Sequence, residues 1–144
     1  PTPWLKPDGT LRLFVGFCNT GPLDTPISRI GYIDVDPRNP QNVVQVSKTP
    51  CLNIGEPGAF DDNGVMPISI IEEAGKLYLF YAGFQLQTLV RYTIFAGVAV
   101  STDGGETFTR LKKVPTLERS DDELFFRTAP WMLKENDTWR MWYI

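Results

Sequence analysis

The chain has 144 residues, of which 12 are Gly and 12 are Pro, and with one residue in six unfit for a helix interior or a central strand an all-helical fold is excluded. Hydrophobic residues at 42% and charged residues at 22% suit a folded protein and not a disordered tail, and apolar runs of about seven residues fall far short of the roughly 20 that span a bilayer, so no membrane partner is expected. With 14 basic against 17 acidic residues, a net charge of −3, no nucleic-acid partner is expected either, and the absence of His excludes Ser-His-Asp and Cys-His nucleophile systems and every His-ligated zinc site.

In chain order, the first recognisable element is a hairpin over residues 3–15, opening on Pro3-Trp4 and turning at Asp8-Gly9. The same arrangement returns at Pro67, with a turn at Ala74-Gly75, and at Pro130-Trp131, with a turn at Asn136-Asp137, so the prolines lie 64 and 63 residues apart. Between the hairpins Gly31 aligns with Gly97, and Pro50-Cys51-Leu52 with Pro115-Thr116-Leu117, which makes the repeat about 64 residues long. In the second unit four strands are predicted at 65–71, 76–84, 93–101 and 107–113, rich in Val, Ile, Phe, Tyr and Thr and separated by Gly, Asp and Asn turns. A four-stranded antiparallel unit repeated at this spacing is a β-propeller blade. The recurring Pro fits the innermost strand of a blade, which is a sheet edge.

The expected fold is therefore all-β, a partial β-propeller of about two and a half blades, with units at about 1–50, 51–115 and an incomplete 116–144. The start on Pro1 and the apolar run from Trp139 to Ile144 give the expectation of more chain, or of self-association through an open edge. Strands that alternate in direction put the short hairpins on one face of the disc and the long segments 18–28, 51–64, 84–92 and 116–128 on the other, where function is expected. The same geometry sets Cys18 and Cys51 two strand spacings apart, roughly 10 Å, too far for a disulfide. Free thiols imply a reducing compartment, with the cytoplasm favoured.

On that loop face Phe60-Asp61-Asp62-Asn63-Gly64 delivers two carboxylates to the start of an inner strand. Asp-Asn-Gly is also ordinary turn chemistry. The functional alternative puts Asp61 or Asp62 in the channel as a general base, a transition-state stabiliser or an acceptor for sugar hydroxyls. One unit later stand Asp121, Asp122, Glu123 and Arg127, either a solvated loop or a group in which Arg127 pairs with Asp61 or Asp62 or binds an anion. Arg91-Tyr92 is a candidate ligand rim, while Trp4, Trp131, Trp139 and Trp142 are expected in the core between blades. Residues 101–108 fit S-x-D-x-G-x-T-F, the Asp-box, whose Asp is expected to accept hydrogen bonds inside its turn while the Phe packs beneath.

The runs RIGYIDVDPRNP at 29–40, FDDNGVMP at 60–67, KLYLFYAGF at 76–84, AGVAVSTDGGETF at 96–108 and RTAPWMLKENDTWRMWYI at 127–144 resemble the five-bladed propellers of the arabinanase, levansucrase and invertase superfamily. They are most similar to uncharacterised proteins related to glycoside hydrolase family 43, and the likeness covers the N-terminal half of such a propeller. The resemblance implies a carbohydrate ligand and three carboxylates on different inner strands: a base or nucleophile Asp, a stabilising Asp and a general-acid Glu. Inverting members separate acid and base by about 6.5–9.5 Å. By position Asp61 or Asp62 matches one aspartate. The first acid would precede Pro3, Arg127-Thr128-Ala129-Pro130 stands where Arg-Asp-Pro is usual, and Glu123 is seven residues ahead of the Pro, so the full catalytic set is not visible. No cofactor is expected, although some relatives hold a channel metal.

Three functional readings follow. The first is a glycosidase-like propeller acting on glycosidic bonds by carboxylate acid/base chemistry, with Asp61 and Asp62 catalytic and Glu123, Arg127 and Arg91 binding substrate. The second is a non-catalytic carbohydrate-binding or scaffold propeller. The third is a sialidase-like enzyme, for which a single Arg127 does not supply the arginine cluster expected.

Overall fold

The computed structural model describes residues 1–21 and 25–144, so part of the 18–28 segment lies outside the described residues. Among these there is no helix. The strands are β1 (Thr2–Leu5), β2 (Leu11–Thr20), β3 (Pro26–Asp36), β4 (Asn39–Val46), β5 (Val65–Glu73), β6 (Lys76–Leu86), β7 (Tyr92–Ser101), β8 (Thr109–Arg110), β9 (Trp131–Glu135) and β10 (Thr138–Trp142). They pair antiparallel in chain order within three sheets, β1-β2-β3-β4, β5-β6-β7-β8 and β9-β10. β1 packs beside β5 and β5 beside β9, so the first strand of each sheet is the inner one and the sheets succeed one another as blades.

The second sheet shows how local chemistry sets these elements. Val65, Pro67 and Ser69 on β5 are buried while Met66 is exposed, the period of two that a strand with one covered face requires. The β5–β6 ladder shifts register between Pro67 and Ser69, where a ring without an N–H interrupts the pairing. Ala74 (φ 51°) and Gly75 (φ 72°) close the two-residue hairpin in left-handed conformations matched to the strand twist.

Two strand lengths differ from expectation. β8 has only two residues, because Asp103 holds the Thr107 N–H (3.0 Å) and the Phe108 N–H donates across to the Cys51 carbonyl (2.8 Å) instead of to β7. β2 and β3 stay paired out to Thr20↔Pro26, beyond their buried portion, so the hydrogen-bond ladder outlasts the hydrophobic alternation that marks a strand in sequence.

The core fills the space between the first two sheets, with Phe14, Ile30, Leu52, Val65, Leu77, Leu79, Tyr81 and Phe95 at its centre. Phe108 meets Phe14 edge to face at 5.5 Å beneath the 101–108 turn. In that turn Asp103 accepts from Ser101 Oγ (2.6 Å) and Thr107 Oγ1 (2.6 Å). Burial alone would raise the Asp103 pKa, but the hydrogen bonds from Ser101 and Thr107 outweigh it and hold the carboxyl at about 2. The tryptophans depart from expectation: Trp4 packs against the core, whereas Trp131, Trp139 and Trp142 are exposed, since no further sheet covers β9 and β10. Cys18 is exposed and Cys51 buried, and both are free thiols.

On the hairpin face a charged staple joins the first sheet to the second. Arg12, 1% exposed, donates Nε (2.7 Å) and Nη2 (2.8 Å) to the two Asp34 oxygens, Nη2 also to Glu106 Oε1 (2.8 Å), and Nη1 to the Gly104 carbonyl (2.9 Å). Its guanidinium lies 3.5 Å from the Tyr32 ring centre, and the Tyr32 hydroxyl donates to Glu106 Oε2 (2.6 Å). Burial would lower the Arg12 pKa, but the bonds to Asp34 and Glu106 reverse this and raise it.

Candidate functional site

The crossover from β4 to β5 brings Phe60-Asp61-Asp62-Asn63-Gly64 to the loop face at the head of the inner strand. Its path is set by two tight turns, Ala59 N–H to the Glu56 carbonyl (2.9 Å) and Asp62 N–H to the Ala59 carbonyl (3.2 Å). Gly58, at φ 89°, occupies the left-handed region that glycine tolerates, and its N–H donates to Asp62 Oδ2 (2.8 Å). Asp62 is half-buried and so serves its own turn, as the Asp-Asn-Gly chemistry allows.

Asp61 is fully buried. Its Oδ2 accepts from Tyr81 Oη (2.9 Å) on β6 and from Arg110 Nε (2.8 Å) on β8. The carboxylate is thus directed outward along the second sheet, not into the channel as the sequence suggested. Two glycines permit its placement: a Cβ at Gly83 would fall 2.6 Å from Asp61 Cβ, and one at Gly55 2.2 Å from Oδ1. The Gly55 hydrogen in that position faces Oδ1, which accepts no other hydrogen bond. Burial raises the Tyr81 pKa, the Asp61 charge adds to the rise, and Arg110 opposes it. Arg110 completes the group by donating Nη2 to the Asn53 carbonyl (2.5 Å), which ties the outer strand to the crossover.

Arg127 does not reach these aspartates. It pairs with Glu123 and donates Nη2 to Ser120 Oγ (2.6 Å), and the Glu123 oxygens accept from Tyr143 Oη at 3.1 and 3.2 Å. Arg127 is therefore held within its own crossover. Asp61 takes its cation from Arg110, a partner 49 residues away on an outer strand that no local motif signals.

Between the ends of the first two sheets, on the loop face, a cleft of about 320 Å³ opens at the head of β5. Cys18, Asn63, Met66, Phe84, Arg91 and Tyr92 are among its lining residues. Phe84 and Tyr92 meet edge to face at 5.7 Å, and the Arg91 guanidinium lies 5.2 Å from the Tyr92 ring. Ser28 Oγ donates to the Val65 carbonyl (2.9 Å), closing the seam between the two sheets at the base of the cleft. Asn63, 8% exposed, is held by its backbone N–H on the Phe84 carbonyl (2.9 Å), while its side-chain Nδ2 has no partner among the described residues. Aromatic faces beside amide and guanidinium donors can hold a small polar ligand that also presents C–H faces. Of the residues singled out in the sequence, the cleft gathers the Arg91-Tyr92 pair; Asp62 lies one residue from Asn63, and Glu123 and Arg127 are not among its lining residues. Among the described residues no group of three or more Cys, Asp or Glu could hold a metal ion.

No family model matches the chain. It is similar to two uncharacterized proteins of Mycobacterium tuberculosis, from strains CDC 1551 and H37Rv, each 32% identical over 116 residues that make up 81% of this chain and 38% of the relative. A solved glycoside hydrolase structure superposes with a TM-score of 0.71 at 15% identity, over 98% of this chain and 40% of that one. The fold is a β-propeller. The chain spans about two fifths of the length of the relatives it matches.

Proposed function

We propose that the chain is part of a carbohydrate-active propeller and that the cleft at the head of β5 holds the sugar. The observation that carries this reading is the cleft itself, in which the Phe84–Tyr92 wall stands beside Arg91 and Asn63 donors that are unpaired among the described residues, on the face that carries the crossovers. Sugars present alternating C–H faces and hydroxyls, which such walls and donors complement. In its finer form the propeller has five blades, is related to glycoside hydrolase family 43, carries an Asp-box in its β7–β8 turn, and acts on glycosidic bonds by carboxylate acid/base chemistry. Asp62, one residue from the cleft-lining Asn63, is then the acid beside the cleft, and Asp61, bound to Tyr81 and Arg110, braces the crossover that presents it. A specific observation favours the alternative of a non-catalytic binding propeller: none of the described residues lining the cleft is acidic.

The test titrates the full chain with a panel of mono- and oligosaccharides by calorimetry and assays aryl-glycoside hydrolysis alongside. Sugar binding that weakens at least tenfold in Tyr92→Ala is expected. Turnover lost in Asp62→Asn with binding kept supports the enzyme. Binding without turnover in the wild type supports the binding propeller, and absence of binding to any sugar refutes both.

A further inference from the structure

The charge balance of the cleft narrows the ligand further. Of the eight arginines, Arg12, Arg110, Arg119, Arg127 and Arg140 each sit in an ion pair with an Asp or Glu. Arg29 donates to two asparagine side chains, Asn53 at 2.8 Å and Asn19 at 2.8 Å, while Arg38, in the β3–β4 turn and outside this cleft, has no side-chain partner among the described residues. Arg91, exposed on the β6–β7 turn, has neither an ion pair nor a side-chain hydrogen bond among the described residues, and its recorded contact is the Tyr92 ring, which leaves its fork of N–H donors free. In a chain with 17 acidic residues, an arginine at a cleft whose described lining holds no acid is a local excess of positive charge. A second and independent observation lies deeper in the same cleft. Asn63 is more than nine-tenths buried, yet its Nδ2 donor has no acceptor among the described residues. Buried donors are ordinarily satisfied, so this one is open to an acceptor from beyond the described residues.

Resting on the reading of this cleft as a sugar site, we propose that its ligand is a sugar carrying an anionic oxygen group, a uronate carboxylate or a sugar phosphate. The anion is held by the Arg91 guanidinium and the Asn63 carboxamide, and the C–H face of the ring lies against Phe84 and Tyr92. Arginine is suited to this because its planar fork matches the two oxygens of a carboxylate or phosphate.

The experiment measures binding of glucose, galactose and mannose, of their uronic acids and 6-phosphates, and of inorganic phosphate, to the full chain by calorimetry at low and high salt. The anionic member of at least one matched set is expected to bind tenfold or more tighter than its neutral parent, with the margin shrinking in high salt. Arg91→Gln, at an exposed position, should erase that margin, bringing the anionic sugar down to the affinity its neutral parent shows for the same variant. The uronate and 6-phosphate arms then tell which anion the site prefers. Neutral and anionic sugars binding equally, or a margin unchanged in Arg91→Gln, overturns the inference and leaves the sugar site standing. Inorganic phosphate binding as tightly as the sugar phosphates, or no sugar binding at all, overturns the sugar site as well.

Discussion

Replacing Arg12 by Met tests whether the buried charges on the hairpin face hold the first two blades together. The substitution keeps much of the side-chain volume and removes four donated hydrogen bonds and the cation over Tyr32. Glu106 has half its side chain in solvent and rehydrates, so its loss is small. Asp34 does not: its side chain is 2% exposed, and its remaining cation is Lys6, whose Nζ lies 3.5 Å away. Stripping a buried ion of its partner costs about 3–5 kcal/mol, and the help from Lys6 places the expected loss near the lower end, about 3 kcal/mol. Replacing both partners removes the uncompensated charge, so Arg12→Met with Asp34→Leu should lose less than the sum of the singles by at least about 2 kcal/mol. Urea unfolding of the wild type, both single variants and the double variant gives this coupling from midpoints and slopes. A loss below about 1 kcal/mol in Arg12→Met, or additive singles, would refute the reasoning and reduce the staple to an incidental contact.

The two thiols should differ sharply. Cys18 is exposed, whereas burial pushes the Cys51 thiol up to about 12, so a thiol reagent at pH 8 should label one cysteine natively and both in denaturant, and rapid native labelling of two would contradict the packing of Cys51. Asp103 makes the acid limb of stability asymmetric. Its folded value of about 2 lies below the ordinary 3.8, so its contribution is present above about pH 4 and is lost as pH falls toward 2. The gap in stability between the wild type and Asp103→Asn should close over that interval, and a constant gap would count against the turn hydrogen bonds. Ala74 holds a left-handed φ of 51°, so Ala74→Gly should raise stability by about 0.5–1 kcal/mol in urea titrations, with a decrease showing that the turn does not impose that conformation.

The blade repeat was legible because period-two alternation, β-branched composition and hairpin turns agree in each unit, and the second sheet follows the predicted 65–71, 76–84 and 93–101 closely. The shortness of β8 was not legible. The N–H groups of Thr107 and Phe108 just before it are claimed by Asp103 and Cys51, and the second of these contacts reaches back to the start of the unit. The chemistry of the acids was hidden for the same reason. Asp61 and Asp62 read as an equivalent pair, yet they separate into a buried brace and a turn cap, because Tyr81 crosses the sheet over Gly97 and Arg110 arrives from the outer strand. The Arg12–Asp34–Glu106 staple joins residues 22 and 94 positions apart and carries no local motif at all.

Gly97 and Gly31 show why the repeat conserves small residues at a place where no ligand is concerned. A Cβ at Gly97 would come within 2.3 Å of the Tyr81 ring, and one at Gly31 within 2.6 Å of the Phe17 ring, so in both sheets an aromatic of the second strand lies over a glycine of the third. In the second sheet that aromatic ends in a hydroxyl, and the hydroxyl finds Asp61. In the first sheet the residue paired with Gly31 is Val15, and the ring over that glycine comes instead from Phe17, two residues on, which has no polar end and is substantially exposed. The Tyr81 hydroxyl thus accompanies an interior carboxylate, its arginine and an ordered crossover in one blade, while Val15 at the equivalent position in the other is apolar. The repeat sets the backbone and the aromatic-over-glycine packing. What distinguishes the blades, and with it the placement of Asn63 at the cleft, comes from the polar atoms added to that common frame.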